Sequence, residues 1–266
     1  KMQPILAALR GGFVSTLVID SDTAEAILRV LDLRPAHGLS VVKSDRNAVR
    51  PSTLIRDSIK KFINEPRNSV IEAMEGALAA FPDHLHAING APRAIGARRA
   101  AMPGKVGIVI GGGAGHEPGF LGYVGPGLAD AVAIGNVFAS PPPDRILTCT
   151  RFADQGGGVL YIYGNYTGDV MNFDMAAELA DGEGIRNRTV RTTDDIASSA
   201  FEDRDARRGT AGGIFTIKVA GAASAQMASL DECQRLARKA NAACHTLVVA
   251  LEPCALPETR RPSFVL

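Results

Sequence analysis

Val106-Gly107-Ile108-Val109-Ile110, followed at once by Gly111-Gly112-Gly113-Ala114-Gly115-His116-Glu117-Pro118, is the stretch that decides the fold. The first five residues are apolar on both faces, as a strand covered on both sides must be. The glycines after them carry no Cβ, so backbone N–H groups there can approach an anionic or carbonyl oxygen. Ligands of open parallel sheets sit at the carboxyl ends of strands, and this turn occupies such an end. No Gly-Lys-Ser/Thr closes the motif, so it is not a P-loop. A dinucleotide fingerprint also fails, because His116 or Pro118 stands where the third glycine is required. An imidazole among glycines has little core to satisfy, which shifts His116 towards a ligand role.

Outward from this turn, a second segment repeats its layout. Val159-Leu160-Tyr161-Ile162-Tyr163 reads as a strand and runs into Gly164-Asn165-Tyr166-Thr167-Gly168-Asp169. A helical pattern follows at Phe173, Ala176, Ala177 and Ala180, which puts Asp169 at or just before a helix N-terminus. A turn or capping aspartate is one reading. The other is a carboxylate at a strand end that meets His116 if the two strands are neighbours, forming an acid/base pair for a hydroxyl. Leu247-Val248-Val249-Ala250-Leu251 reads as a further strand. Helices are signalled by Asn68-Ser69 before Val70, Met74, Leu78 and Phe81, and by the capping box Ser229-Leu230-Asp231-Glu232. Strands alternating with helices predict an α/β fold with a largely parallel sheet.

Composition narrows the function. The 266 residues are 46% hydrophobic and 21% charged, with 29 basic against 28 acidic side chains. A net charge of +1 excludes a polyanion-binding surface as the main purpose, and nothing in residues 1–60 looks able to read DNA. No apolar run is long enough to span a membrane, and the N-terminal apolar stretch is too short for a secretory signal. Cys149, Cys233, Cys244 and Cys254 show no metal-ligand spacing and read as small buried hydrophobes in a reducing cytoplasm. No metal site is expected. His84 and His86 have same-face spacing on a strand, but no third ligand is evident and they read as loop histidines; His245 reads as structural, and the tract from Glu202 to Arg208 as a solvated loop. Residues 1–34 read as a helix-strand-helix fragment and residues 35–60 as a linker.

From about Lys61 the chain resembles the substrate-binding part of dihydroxyacetone kinases. The resemblance is carried by Lys61-Phe62-Ile63-Asn64, by Gly111 to Pro118 with Gly122-Tyr123-Val124-Gly125, and by Ser140-Pro141-Pro142-Pro143-Asp144. It continues through Asn165-Tyr166-Thr167-Gly168-Asp169 with Asn172-Phe173, Arg207-Arg208-Gly209 and Pro262-Ser263-Phe264. It implies two α/β subdomains with mixed, largely parallel sheets, one over residues 61–210 and a second, incomplete one over 211–266. It also implies that Gly113, Ala114 and Gly115 hold a small ketone through the backbone, and that His116 and Asp169 activate its terminal hydroxyl. The donor would be ATP with magnesium on a domain not present here, or a phosphoprotein, and the family tends to dimerise. The family's covalent histidine segment would lie beyond Leu266. Some members carry lysine where this chain has Gly164 and serine where it has Ala114, which leaves dihydroxyacetone and a four-carbon ketose such as erythrulose as alternatives. Residues 1–34 resemble the C-terminal end of the sugar-sensing domain of SorC- or DeoR-type regulators. A non-catalytic ketose or ketose-phosphate sensor is therefore the second reading, and an inactive fragment the third.

Overall fold

The computed structural model describes residues 63–249 and 255–259. The fragment at 1–34 and the linker at 35–60 lie outside the described residues. The chain divides into two units, and the architecture below belongs to the one spanning Asn64–Thr246.

Six strands form one sheet: β1 (Leu85–Ile88), β2 (Ala91–Ala97), β3 (Gly107–Ala114), β4 (Ala131–Val137), β5 (Val159–Gly164) and β6 (Asn187–Thr192). Their spatial order is β1-β2-β4-β3-β5-β6. Strands β4, β3, β5 and β6 are mutually parallel, while β2 runs antiparallel to β4 and pairs with β1 as a hairpin. The sheet is mixed and mostly parallel. After β3 the chain goes to β4 on one side and then crosses to β5 on the other. That reversal opens a crevice at the carboxyl end of β3.

Alternation along the strands sorts side chains into two apolar layers. Ile108, Ile110, Val132, Ile134, Leu160 and Ile162 face one side with Val70 and Met74 of α1 (Ser69–Ala80). On the same side lie Ile217 of α4 (Gly213–Ala225) and Leu230, Cys233 and Ala237 of α5 (Leu230–Ala243). Val109, Ala131, Ala133, Val159, Tyr161 and Tyr163 face the other side. There they meet Ile146 and Cys149 of α2 (Pro143–Ala153) and Phe173 and Ala176 of α3 (Thr167–Gly182). The Ser229 hydroxyl accepts from the Glu232 N–H at 3.2 Å, the capping contact the sequence predicts. No helix among the described residues is long and apolar enough to cross a membrane.

Several local readings are corrected. His86 sits in β1, not a loop, with its ring edge-on to Phe152 at 5.0 Å. The tract from Glu202 to Arg208 is exposed as a solvated loop should be, except that Arg207 is buried and donates to the Ser199 carbonyl at 3.1 Å. Residues 247–249 form no strand, and Ala250 and Leu251 lie outside the described residues. Cys149 and Cys233 are buried, whereas Cys244 is half-buried.

Candidate functional site

A cleft of about 600 Å³ opens at the carboxyl ends of β3 and β5, and both His116 and Asp169 line it. Strands β3 and β5 are direct neighbours, with Ile110 in register with Ile162. The loops leaving those strands therefore emerge side by side, which is the condition the sequence reading placed on the pair.

The β3 loop is held tightly. His116 Nδ1 lies 2.7 Å from the Gly113 carbonyl oxygen. A carbonyl only accepts, so Nδ1 carries the proton and Nε2 of the neutral ring holds the lone pair. The ring packs edge-on against Phe138 at 5.1 Å and tilted against Phe120 at 6.0 Å. Phe138 itself has φ of 55°, a left-handed conformation that is uncommon for a bulky residue and recurs at functional sites. Gly113 must be glycine: a Cβ there would lie 2.6 Å from the Ala139 nitrogen and 2.8 Å from the Phe138 Cα.

Asp169 stands in the first turn of α3. Its Oδ1 is buried with no hydrogen-bond partner. Burial pushes the carboxyl pKa up; the nearby Ser140 hydroxyl and His116 ring pull the other way without cancelling the rise. Such a carboxylate is a better base than one in water.

The residues expected to hold a ketone through the backbone do not behave alike. Gly113 lines the cleft, but Ala114 and Gly115 do not. Ala114 is 5% exposed and packs in the core, and the Gly115 N–H is taken by the Glu117 carboxylate at 3.0 and 3.2 Å. Sequence reasoning missed the opposite wall, made by Gly209, Thr210, Ala211 and Gly213, and the aromatic flank of Phe120 and Phe138. Arg207-Arg208-Gly209 was the one signal pointing to that wall.

The described residues do not fit a magnesium nucleotide. They contain no group of three or more His, Cys, Asp or Glu side chains able to hold a metal, and the glycine turn lacks the lysine and hydroxyl residue of a phosphate cradle.

The Dak1 domain family model matches residues 75–266. The chain belongs to the Dak1 family. It is 46% identical over 208 residues to the dihydroxyacetone-binding subunit DhaK of a PTS-dependent dihydroxyacetone kinase from Listeria innocua, covering 78% of this chain and 63% of that one. It is 43% identical over 204 residues to L-erythrulose 1-kinase of Mycolicibacterium smegmatis, covering 76% of this chain and 35% of the enzyme. The solved structure of a dihydroxyacetone kinase operon co-activator, Dha-DhaQ, superposes with a TM-score of 0.67 at 34% identity, covering 73% and 59% of the two chains. The Dak1 chain thus spans less than two thirds of the length of each of these proteins.

Proposed function

We propose that this Dak1 chain is the ketose-binding part of a kinase that phosphorylates the terminal hydroxyl of dihydroxyacetone or a related small ketose such as erythrulose. The observation that carries the reading is the convergence of His116 and Asp169 on one cleft, with the Asp169 carboxylate made more basic by burial and one of its oxygens unpartnered. In this reading Gly113 contributes to holding the ketone, and Asp169 accepts the proton of the terminal hydroxyl and so makes its oxygen nucleophilic. His116, with Nδ1–H tied to Gly113, offers the Nε2 lone pair to the proton of a substrate hydroxyl. Residues 61–210 carry this pair, and the helices at 213–225 and 230–243 pack on the same sheet. The donor, magnesium-ATP or a phosphoprotein, arrives on another domain or subunit in the cytoplasm, and the kinase works as a dimer.

The test is Asp169→Asn in the full-length gene product. Turnover should fall by about 10²–10⁴-fold with little change in KM, the usual worth of a positioned acid or base. Turnover within a few-fold of wild type would overturn the role given to Asp169. The likeness to an operon co-activator supports a second reading, a sensor of ketoses or their phosphates. Calorimetry with dihydroxyacetone, erythrulose and their phosphates separates the two. Binding without turnover by the full-length protein and its donor favours the sensor, and turnover favours the kinase.

A further inference from the structure

Asp194 lies just beyond the end of β6 and is completely buried. Its carboxylate accepts four hydrogen bonds. They come from the N–H groups of Thr210 at 3.0 Å and Gly212 at 2.8 Å, and from the hydroxyls of Thr210 at 2.8 Å and Thr246 at 2.5 Å. The Asp194 backbone carbonyl accepts from the Thr246 N–H at 2.7 Å. Burial alone would raise the Asp194 pKa, but the bonds from Thr246, Thr210 and Gly212 outweigh it and hold the carboxyl below its ordinary range. A Cβ added at Gly212 would lie 2.8 Å from Asp194, so loop and carboxylate already touch.

Thr210 and its neighbours Gly209, Ala211 and Gly213 form the cleft wall facing the β3 loop, whereas Asp194 itself does not line the cleft. We propose that Asp194 is a positioning residue that pins this wall to Thr246 and thereby sets the fit of the cleft around its ligand. The inference rests on the ketose-binding reading of the cleft. An ionised carboxylate is required, because four donors converge on two oxygens. An amide at this position would offer one acceptor oxygen and turn an NH2 group towards donors. Donors left unsatisfied in a buried place carry their full desolvation penalty, and the loop would then leave its place.

The experiment uses full-length protein and two readouts, amide hydrogen exchange and titration with dihydroxyacetone and erythrulose. In Asp194→Asn the Thr210 and Gly212 amides should exchange at least about tenfold faster, while those of Ile110 and Ile162 in the sheet keep their protection. The Kd or KM for the ketose bound by wild type should rise about tenfold, with a smaller change in kcat. Unchanged exchange at Thr210 and Gly212, or released amides with an unchanged Kd, would overturn the proposal. If wild type binds neither ketose, the reading of the cleft fails, and exchange alone still decides whether Asp194 pins the wall. Should Asp194→Asn not fold, Thr246→Val removes one of the four bonds and should shift both readouts the same way, by about two- to fivefold; no shift would overturn the proposal.

Discussion

Asp169 and Asp194 are both withdrawn from water, and their surroundings drive their acidities apart. Asp194 meets four donors and is held ionised; Asp169 keeps an oxygen with none, and its pKa rises. A raised pKa means that the folded state grips the proton more tightly than the unfolded chain does. Stability from Asp169 is therefore fully present below the ordinary value of 3.8 and is lost as pH climbs through the raised folded value. At pH 7 the buried charge is a net cost, which Asp169→Asn removes. The variant should melt about 2–4 °C above wild type at pH 7, because the amide carries no charge to strip of water. That advantage should vanish near pH 4. Thermal melts at both pH values check it, and an unchanged or lower Tm at pH 7 would contradict the account. The same substitution, stabilising the fold while it slows turnover, would be a trade of stability for chemistry at a single residue.

At the scale of elements, what the sequence revealed depended on how much apolar side chain each strand carries. Strands β3 and β5 were legible because Ile108, Val109, Ile110, Leu160, Tyr161 and Ile162 are apolar on both faces. The β1–β2 hairpin was not. Strand β2 buries Ala94, Ile95, Gly96 and Ala97, and one isoleucine among small residues leaves almost no periodic signal. Strand β6, Asn187-Arg188-Thr189-Val190-Arg191-Thr192, buries only Val190 and Thr192. His116 and Asp169 were legible as candidates because each follows a readable strand. The wall at 209–213 is set by Asp194 and Thr246 through contacts up to 52 residues apart, and no local pattern encodes that. The tightness of the β3 turn yields a prediction at this scale. Gly113→Ala drives a methyl into the backbone of Phe138 and Ala139, and should cost about 1–3 kcal/mol in urea unfolding as overpacking. Gly76→Ala in α1, where nothing lies within 4 Å, should stabilise by about 0.5–1 kcal/mol through helix propensity. A Gly113→Ala protein as stable as wild type would show that the turn gives way.

For the molecule as a whole, the sheet has a chemical end and a structural end. Opposite the cleft, at the amino ends of β3 and β4, Asp130 accepts hydrogen bonds from Lys105 Nζ at 2.7 Å and the Ile108 N–H at 2.8 Å, and pairs by charge with Arg99, whose Nε lies 2.8 Å away without hydrogen-bond geometry. Asp130 and Lys105 are 3% and 5% exposed, so the pair sits in the protein and not on it. Asp130→Ala would strand two cations there and should cost about 3–5 kcal/mol, measured by urea unfolding. A loss under about 1 kcal/mol would mean that water reaches the cluster. This end was invisible in the sequence, since Arg99, Lys105 and Asp130 are scattered and only the strand order brings them together. The order of the strands also bears on how the chain is made. Strand β3, apolar on both faces, is synthesised before β4 and β5, the two strands that enclose it. Its second neighbour is finished about fifty residues later, which is about 3–10 s of translation. For those seconds a segment apolar on both faces lacks half of its shelter in the nascent polypeptide, and chaperone capture during translation would protect it there.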